Sequence, residues 1–105
     1  MRTTKREFEK TTVEFDLFDW DEDKQQRNLN KHQIDFDDAI AIFENPVVRA
    51  RSDRNGEVRY LAVGLVSGIA ISVVYTERND RCRVISARRA RNYEREAYHT
   101  LSGEP

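Results

Sequence analysis

The sequence has few cysteines and histidines, the residues that form the disulfides of secreted domains and the zinc sites of small metal-binding domains. Its 105 residues contain one cysteine, Cys82, and two histidines, His32 and His99. A single thiol cannot form an internal disulfide, and so few nitrogen and sulfur ligands argue against a structural zinc site. We therefore expect a reduced, cytoplasmic protein that holds no metal and no cofactor.

Long apolar runs are also missing. The most apolar region, residues 61–75, is interrupted by glycines and serines and falls short of the roughly 18 apolar residues that a transmembrane helix needs. The first ten residues are charged and contain no apolar segment, which is unlike a secretory signal. These two observations predict a protein with no membrane partner.

Charge is distributed unevenly along a chain whose net charge is −1. Residues 1–50 hold eight Lys and Arg against twelve Asp and Glu, whereas residues 51–105 hold ten against seven. The segment 78–95 contains seven arginines and two acids. Such a patch attracts phosphate groups, and arginine binds them through paired hydrogen bonds. The alternative is a charged strand and helix that simply face solvent.

The hydrophobic pattern predicts one domain, residues 14–105, after an extension of weak order, residues 1–13. A short strand over 14–20 precedes a polar helix over 23–31, for which Asp21 is the N-cap. A second helix begins after Asp35 and ends at Asn45-Pro46, with apolar residues at helical spacing between them.

The second half of the chain predicts strands over 47–51, 57–66, 69–77 and 81–87, and a closing helix over 91–101. Consecutive hairpins favour an antiparallel sheet. We expect an α+β, two-layer domain in which two N-terminal helices and one C-terminal helix cover one face of that sheet.

Several segments together match one family. The pattern begins with Phe18-Asp19-Trp20-Asp21 and continues through Lys24, Asn28 and Lys31-His32. Later parts of the match are Arg59-Tyr60, Gly64, Tyr75-Thr76-Glu77-Arg78, Arg83-Val84-Ile85-Ser86-Ala87-Arg88, Ala90 and Glu94. In this order they resemble the BrnT toxins of type II toxin–antitoxin systems. The resemblance covers about residues 15–101.

The resemblance implies a RelE-like fold and a metal-independent ribonuclease that inhibits translation. It also implies a BrnA-like antitoxin with a ribbon–helix–helix domain, so that operator DNA is contacted only through the antitoxin. A heterotetramer is one arrangement that such a complex could take. The extension at residues 1–13 is longer than the usual start in this family.

Metal-free RNA cleavage needs a base for the 2′-OH, positive charge for the phosphorane and an acid for the leaving oxygen. The sequence offers candidates for these catalytic roles: Lys24, His32, Glu77, Arg83 and Arg88. Candidates for RNA binding are Asn28, Lys31, Arg78, Arg81 and Tyr98. The expected product carries a 2′,3′-cyclic phosphate.

Each candidate has a structural alternative. His32 could cap a helix end, Glu77 could pair with a neighbouring arginine, Arg83 could be in a structural ion pair, and Tyr98 could lie in the core. A protein that only binds RNA or the antitoxin, and acts in transcriptional autoregulation, would use the same arginines without cutting.

Overall fold

Six strands form one sheet in the computed structural model, which describes residues 6–103. The strands are β1 (Glu9–Thr11), β2 (Leu17–Asp19), β3 (Val47–Arg51), β4 (Tyr60–Val66), β5 (Ile69–Arg78) and β6 (Arg81–Arg89). Across the sheet their order is β1-β3-β4-β5-β6-β2, and every neighbouring pair is antiparallel except β2 and β6, which run parallel. The expected α+β class and mainly antiparallel sheet are confirmed.

The helices are α1 (Glu22–His32), α2 (Phe36–Ala39) and α3 (Asn92–Ser102). The Asp21 carboxylate accepts hydrogen bonds from the first turn of α1, as its position before a polar helix predicts. The second helix is shorter than expected, because the chain tightens into a 3₁₀ helix over Ile40–Glu44. No helix within residues 6–103 is long and apolar enough to span a membrane.

Helices cover both faces of the sheet, so the two-layer prediction is wrong. In β4, Leu61 and Val63 pack in a cluster with Tyr98 of α3, whereas Ala62 packs with Ile42 on the opposite face. Successive residues of a strand point to opposite faces, and here both sets are buried. An apolar run without alternation requires a cover on each side, which makes three layers.

The N-terminal segment contains a strand that we did not predict. β1 lies within the expected extension, residues 1–13, and pairs antiparallel with the outer side of β3. Val13, which follows it, is buried. Edge pairing depends on backbone hydrogen bonds and not on a hydrophobic pattern, so the polar sequence carries no sign of it. Residues 1–5 lie outside the described residues, and the domain boundary at residue 14 stays a prediction.

The outer edge of β6 is closed by a side chain instead of a strand. β2 pairs only with Arg81–Arg83, and beyond this point α1 lies against β6. The Asn28 amide donates to the Ala87 carbonyl at 2.8 Å and accepts from the Ala87 N–H at 3.1 Å. It also donates to the Ile34 carbonyl at 3.0 Å. Asn28 thus makes both hydrogen bonds that a neighbouring strand would make, and it fixes α1 on the sheet.

Asn28→Ala is expected to destabilise the fold by about 3 kcal/mol, because it leaves a buried N–H and a buried carbonyl of Ala87 without partners. Urea unfolding followed by circular dichroism measures the change. Asn30→Ala, an exposed position of the same helix, is the matched control and should cost less than about 0.5 kcal/mol. Equal losses in both variants would show that Asn28 does not hold α1 on β6.

Candidate active site

A β-bulge places arginines of β6 on one face. Arg83 lies opposite Thr76 and Arg88 opposite Ser72, because the register between β5 and β6 shifts by one residue between these pairs. Arginines five residues apart would point to opposite faces of a regular strand. Thr76 and Ser72 are four apart, so both arginines share a face, and the Ser72 hydroxyl contacts α3 there. We call the set Arg81, Arg83 and Arg88 the arginine row.

Helix α1 brings further basic groups to the same strand. Lys24 and Lys31 lie four residues before and three after Asn28, on the same side of the helix, and both are exposed. His32 ends the helix and is partly buried. The structure therefore brings the predicted residues of α1 next to the strand that carries the arginine row.

The surroundings of His32 favour its neutral form. Partial burial lowers the pKa of the imidazole below its ordinary 6.5, and the positive charges of Lys31 and Arg88 lower it further. Arg88 of β6 is thus one of the charges that act on this imidazole, and His32 lines one groove with Arg89, the next residue along the strand. At pH 7 this imidazole is a proton acceptor.

Arg88 is held by Glu94, the most buried acid among residues 6–103. Its guanidinium donates to both carboxylate oxygens of Glu94, at 2.7 and 2.9 Å. Glu94 also accepts from the Ser72 hydroxyl and the Arg91 N–H, both at 2.8 Å, and none of its surface is exposed. Burial by itself would raise the pKa of Glu94, but these hydrogen bonds outweigh it and hold the pKa at about 2.

The rest of the row is paired with Asp19. Parallel pairing places Asp19 of β2 directly opposite Arg83, and its carboxylate lies 3.3 Å from the Arg83 guanidinium and 3.6 Å from that of Arg81. Arg78 is paired with Glu57 at 2.9 Å instead. These guanidiniums remain partly or largely exposed, so a phosphate can approach them while the carboxylates hold them in place.

Glu77 is not brought to the arginine row. It lies opposite Cys82, which is buried in the core on the face of α2. Cys82 lies between Arg81 and Arg83 along β6, but it and Glu77 belong to the other face of the sheet. Ser72, the partner of Arg88, lies five positions away along β5, roughly 17 Å. Glu77 instead lines a separate recess with Arg49, whose guanidinium donates to the Tyr75 hydroxyl at 2.9 Å. This position does not support the expected catalytic role of Glu77.

A family model described as the ribonuclease toxin BrnT of type II toxin–antitoxin systems matches residues 20–94, well over half of the chain. The chain belongs to the BrnT family. A comparison with curated proteins found no match. The BrnT match runs from Trp20 to Glu94, so it contains α1, the arginine row and the acid that holds Arg88.

Two BrnT residues that we expected to contact RNA are used inside the fold. Asn28 is buried, and its side-chain amide hydrogen-bonds to the backbone of Ala87 and Ile34. Tyr98 is 6% exposed and packs between α3 and the sheet, so its ring faces are not open to a base. Helical spacing places Asn28 on one stripe with Lys24 and Lys31, but spacing along a helix does not show which residues of a stripe are buried. We leave both out of the proposed RNA surface.

Sequence reasoning also missed two basic residues of this BrnT protein. Arg49 stacks over the Tyr60 ring at 4.2 Å from its centroid, and Arg89 lines a groove with His32. A charged residue within the apolar strand 47–50 was the available signal for Arg49. Arg89 follows directly after Arg88, and only the register of β6 shows which of the two arginines points to which face of the sheet.

Glu94→Gln tests the buried pair through its pH dependence. The Glu94 pKa is depressed on folding, so its contribution to stability is complete above the ordinary value of 4.5 and is lost as the pH falls through about 2. We expect the free energy of unfolding of the natural protein to fall, between pH 5 and pH 2, by on the order of 3 kcal/mol more than that of Glu94→Gln. Urea unfolding across this range measures it.

Glu96→Gln is the control, since Glu96 is an exposed acid on the same helix. This variant should keep the pH dependence of the natural protein. A Glu94→Gln protein with that same pH dependence would contradict the assignment of the low pKa to Glu94.

Proposed function

We propose that this BrnT protein is a metal-independent endoribonuclease whose active site lies where the end of α1 meets the arginine row. The observation that carries the proposal is the position of His32 at the end of α1, a helix that lies against β6, the strand that carries Arg88. The positive charge of Arg88 contributes to holding this imidazole neutral. Metal-free RNA cleavage needs a proton acceptor beside a fixed positive charge, and these two groups provide the pair.

In the proposed reaction, His32 takes the proton of the ribose 2′-OH. The O2′–phosphorus bond forms as the bond from phosphorus to O5′ breaks, which leaves a 2′,3′-cyclic phosphate and a 5′-hydroxyl. Negative charge accumulates on the non-bridging oxygens of the phosphorane. Arg83 and Arg88 are positioned to stabilise it, because Asp19 and Glu94 hold both guanidiniums before RNA binds.

The leaving O5′ needs a proton. Lys24 and Lys31 are the candidates, since both side chains are exposed on α1, the helix that lies against β6. Arg78 and Arg81 lie at the β5–β6 turn and are more than half exposed, so we assign them to the RNA backbone away from the reacting phosphate.

The type II family implies an antitoxin partner. We propose a BrnA-like ribbon–helix–helix antitoxin, acting in the cytoplasm, whose acidic segment covers the arginine row and competes with RNA. Carboxylates already pair with each arginine of the row inside the chain, so the row accepts this chemistry. In this proposal the toxin has a RelE-like fold, and when free of the antitoxin it cuts RNA and thereby inhibits translation. The complex, such as a heterotetramer, contacts operator DNA only through the antitoxin.

A second function has one observation in its favour. Every arginine of the row is already in an ion pair. Paired arginines of this kind occur on surfaces that only bind a ligand as well as in active sites. A non-catalytic module of autoregulation would retain RNA without cutting it. The cleavage assay separates the two.

Purified toxin freed of its antitoxin should cleave RNA in the presence of EDTA. His32→Ala should lower the rate by at least about 100-fold, the usual contribution of a general base. His99→Ala is the matched control, because His99 is an exposed histidine on α3, and it should retain the natural rate. If the natural protein binds RNA tightly without cutting it, the binding module is favoured. Full activity of His32→Ala would show that His32 is not the general base.

The role of the Arg88 charge in cleavage is tested with a double variant. Arg88→Ala alone leaves the buried Glu94 carboxylate unpaired, and such a change costs roughly 3–5 kcal/mol of stability. Arg88→Ala combined with Glu94→Gln removes both charges together, so its cleavage rate reports on the positive charge at the phosphate. This variant should be folded at 25 °C and should cut at least tenfold more slowly than Glu94→Gln alone.

The rate should rise with pH on the acid side. A base works when deprotonated, and the His32 pKa lies below 6.5, so kcat/KM should increase from pH 4.5 with a midpoint below 6.5. Cleavage of a short oligonucleotide across this range, together with an NMR titration of the His32 ring, measures both midpoints. Coinciding midpoints below 6.5 support the assignment, and a ring midpoint above 6.5 would contradict it.

A further inference from the structure

A groove of about 630 Å³ opens beside His32, on the side away from the arginine row. It lies between the loop that joins α1 to α2 and the turn between β4 and β5. Its floor contains aliphatic side chains, among them Val66 and Ile69, and Ile69 is 41% exposed. The mechanism above uses His32 but not this groove.

Charged groups of opposite sign line the same groove. Asp37 and Asp38, in the first turn of α2, provide two carboxylates, and Arg89 at the end of β6 provides a guanidinium. Within residues 6–103 none of these three side chains is in a salt bridge. All three are exposed and therefore available to a ligand.

We propose that this groove binds a guanine base of the RNA substrate. Guanine presents two acceptors, O6 and N7, to which a guanidinium donates in pairs, and this is the commonest specific contact of arginine with a base. On its other edge guanine presents two donors, N1–H and the N2 amino group, that match the two oxygens of one carboxylate. The aliphatic floor supplies contact with the face of the ring.

The other bases fit these groups less well. Adenine places an amino donor where guanine has O6, so it would face the Arg89 guanidinium donor to donor. Cytosine offers an amino group to a carboxylate but lacks the N7 acceptor, and uracil lacks the amino group. An arginine and a carboxylate in one groove therefore select guanine.

The position of the groove connects base binding to cleavage. His32 lines the groove, and the positive charge of Arg88 acts on its imidazole. A guanosine whose base lies in the groove would have its ribose and phosphate beside the imidazole. This step rests on the proposed ribonuclease function, whereas selective binding of guanine does not.

Binding of nucleotides tests the groove without cleavage. The full chain is titrated with the 3′-monophosphates of guanosine, adenosine, cytidine and uridine by calorimetry. Guanosine 3′-monophosphate is expected to bind at least tenfold more tightly than the others. The variant Asp37→Asn/Asp38→Asn should lose this preference, as should Arg89→Ala.

The matched control is Asp16→Asn/Glu44→Gln, which removes the same number of negative charges at exposed positions outside the groove. It should keep the preference for guanosine. Equal affinity for all four nucleotides, or the same loss in the control as in the aspartate variant, would overturn the inference.

Mapping of cleavage sites separates this inference from the proposed function. Natural protein should cut RNA next to guanosine, and Asp37→Asn/Asp38→Asn should cut without that preference. Selective guanosine binding without cleavage would uphold the groove and overturn the ribonuclease proposal. Cleavage that ignores guanosine, together with equal nucleotide affinities, would overturn the groove and uphold the ribonuclease.

Discussion

The buried carboxylate of Glu94 is the interaction on which the placement of Arg88 and of α3 depends. It joins β5 through Ser72, β6 through Arg88 and the start of α3 through the Arg91 N–H. A carboxylate with no exposed surface is costly unless every oxygen is matched by donors. Because Arg88 supplies two of those donors, the guanidinium is held at one place on the sheet, and α3 is held over the same face.

Two departures from regular sheet structure complete this arrangement. The bulge in β6 turns Arg88 to the face that Arg83 already occupies. The Asn28 amide takes the place of a strand at the edge of β6 and fixes α1 there. Each of these features is local, and together they set the face of Arg88 and hold α1 next to the strand that carries it. Bulges and edge contacts are common next to functional sites for this reason.

The charges of the proposed site suit a polyanion even though the net charge of the protein is −1. The arginines of the row are paired with single acids of the same chain, Asp19 and Glu94, whose own surfaces are half-buried or buried. These pairs fix the guanidiniums while leaving part of each open. A phosphate of RNA or a carboxylate of an antitoxin meets the same donors, so one surface suits both partners.

The sequence by itself determined the parts of this protein that depend on neighbours along the chain. Asp21 and Asp35 cap their helices, the hairpins follow from β-rich runs, and the family is carried by motifs that span most of the chain. The candidates His32, Lys24, Lys31, Arg83 and Arg88 were predicted in this way.

Only the tertiary structure decided which of the candidates meet. The bulge changes the face to which every later residue of β6 points. No residue type near position 85 predicts a bulge there. Asn28 and Tyr98 share their helical stripes with exposed residues, and burial depends on what packs from outside the helix. Glu77 lies on the opposite face from the arginine row, some five residues from Ser72. Face, register and burial are set by contacts between distant segments, which a local pattern does not encode.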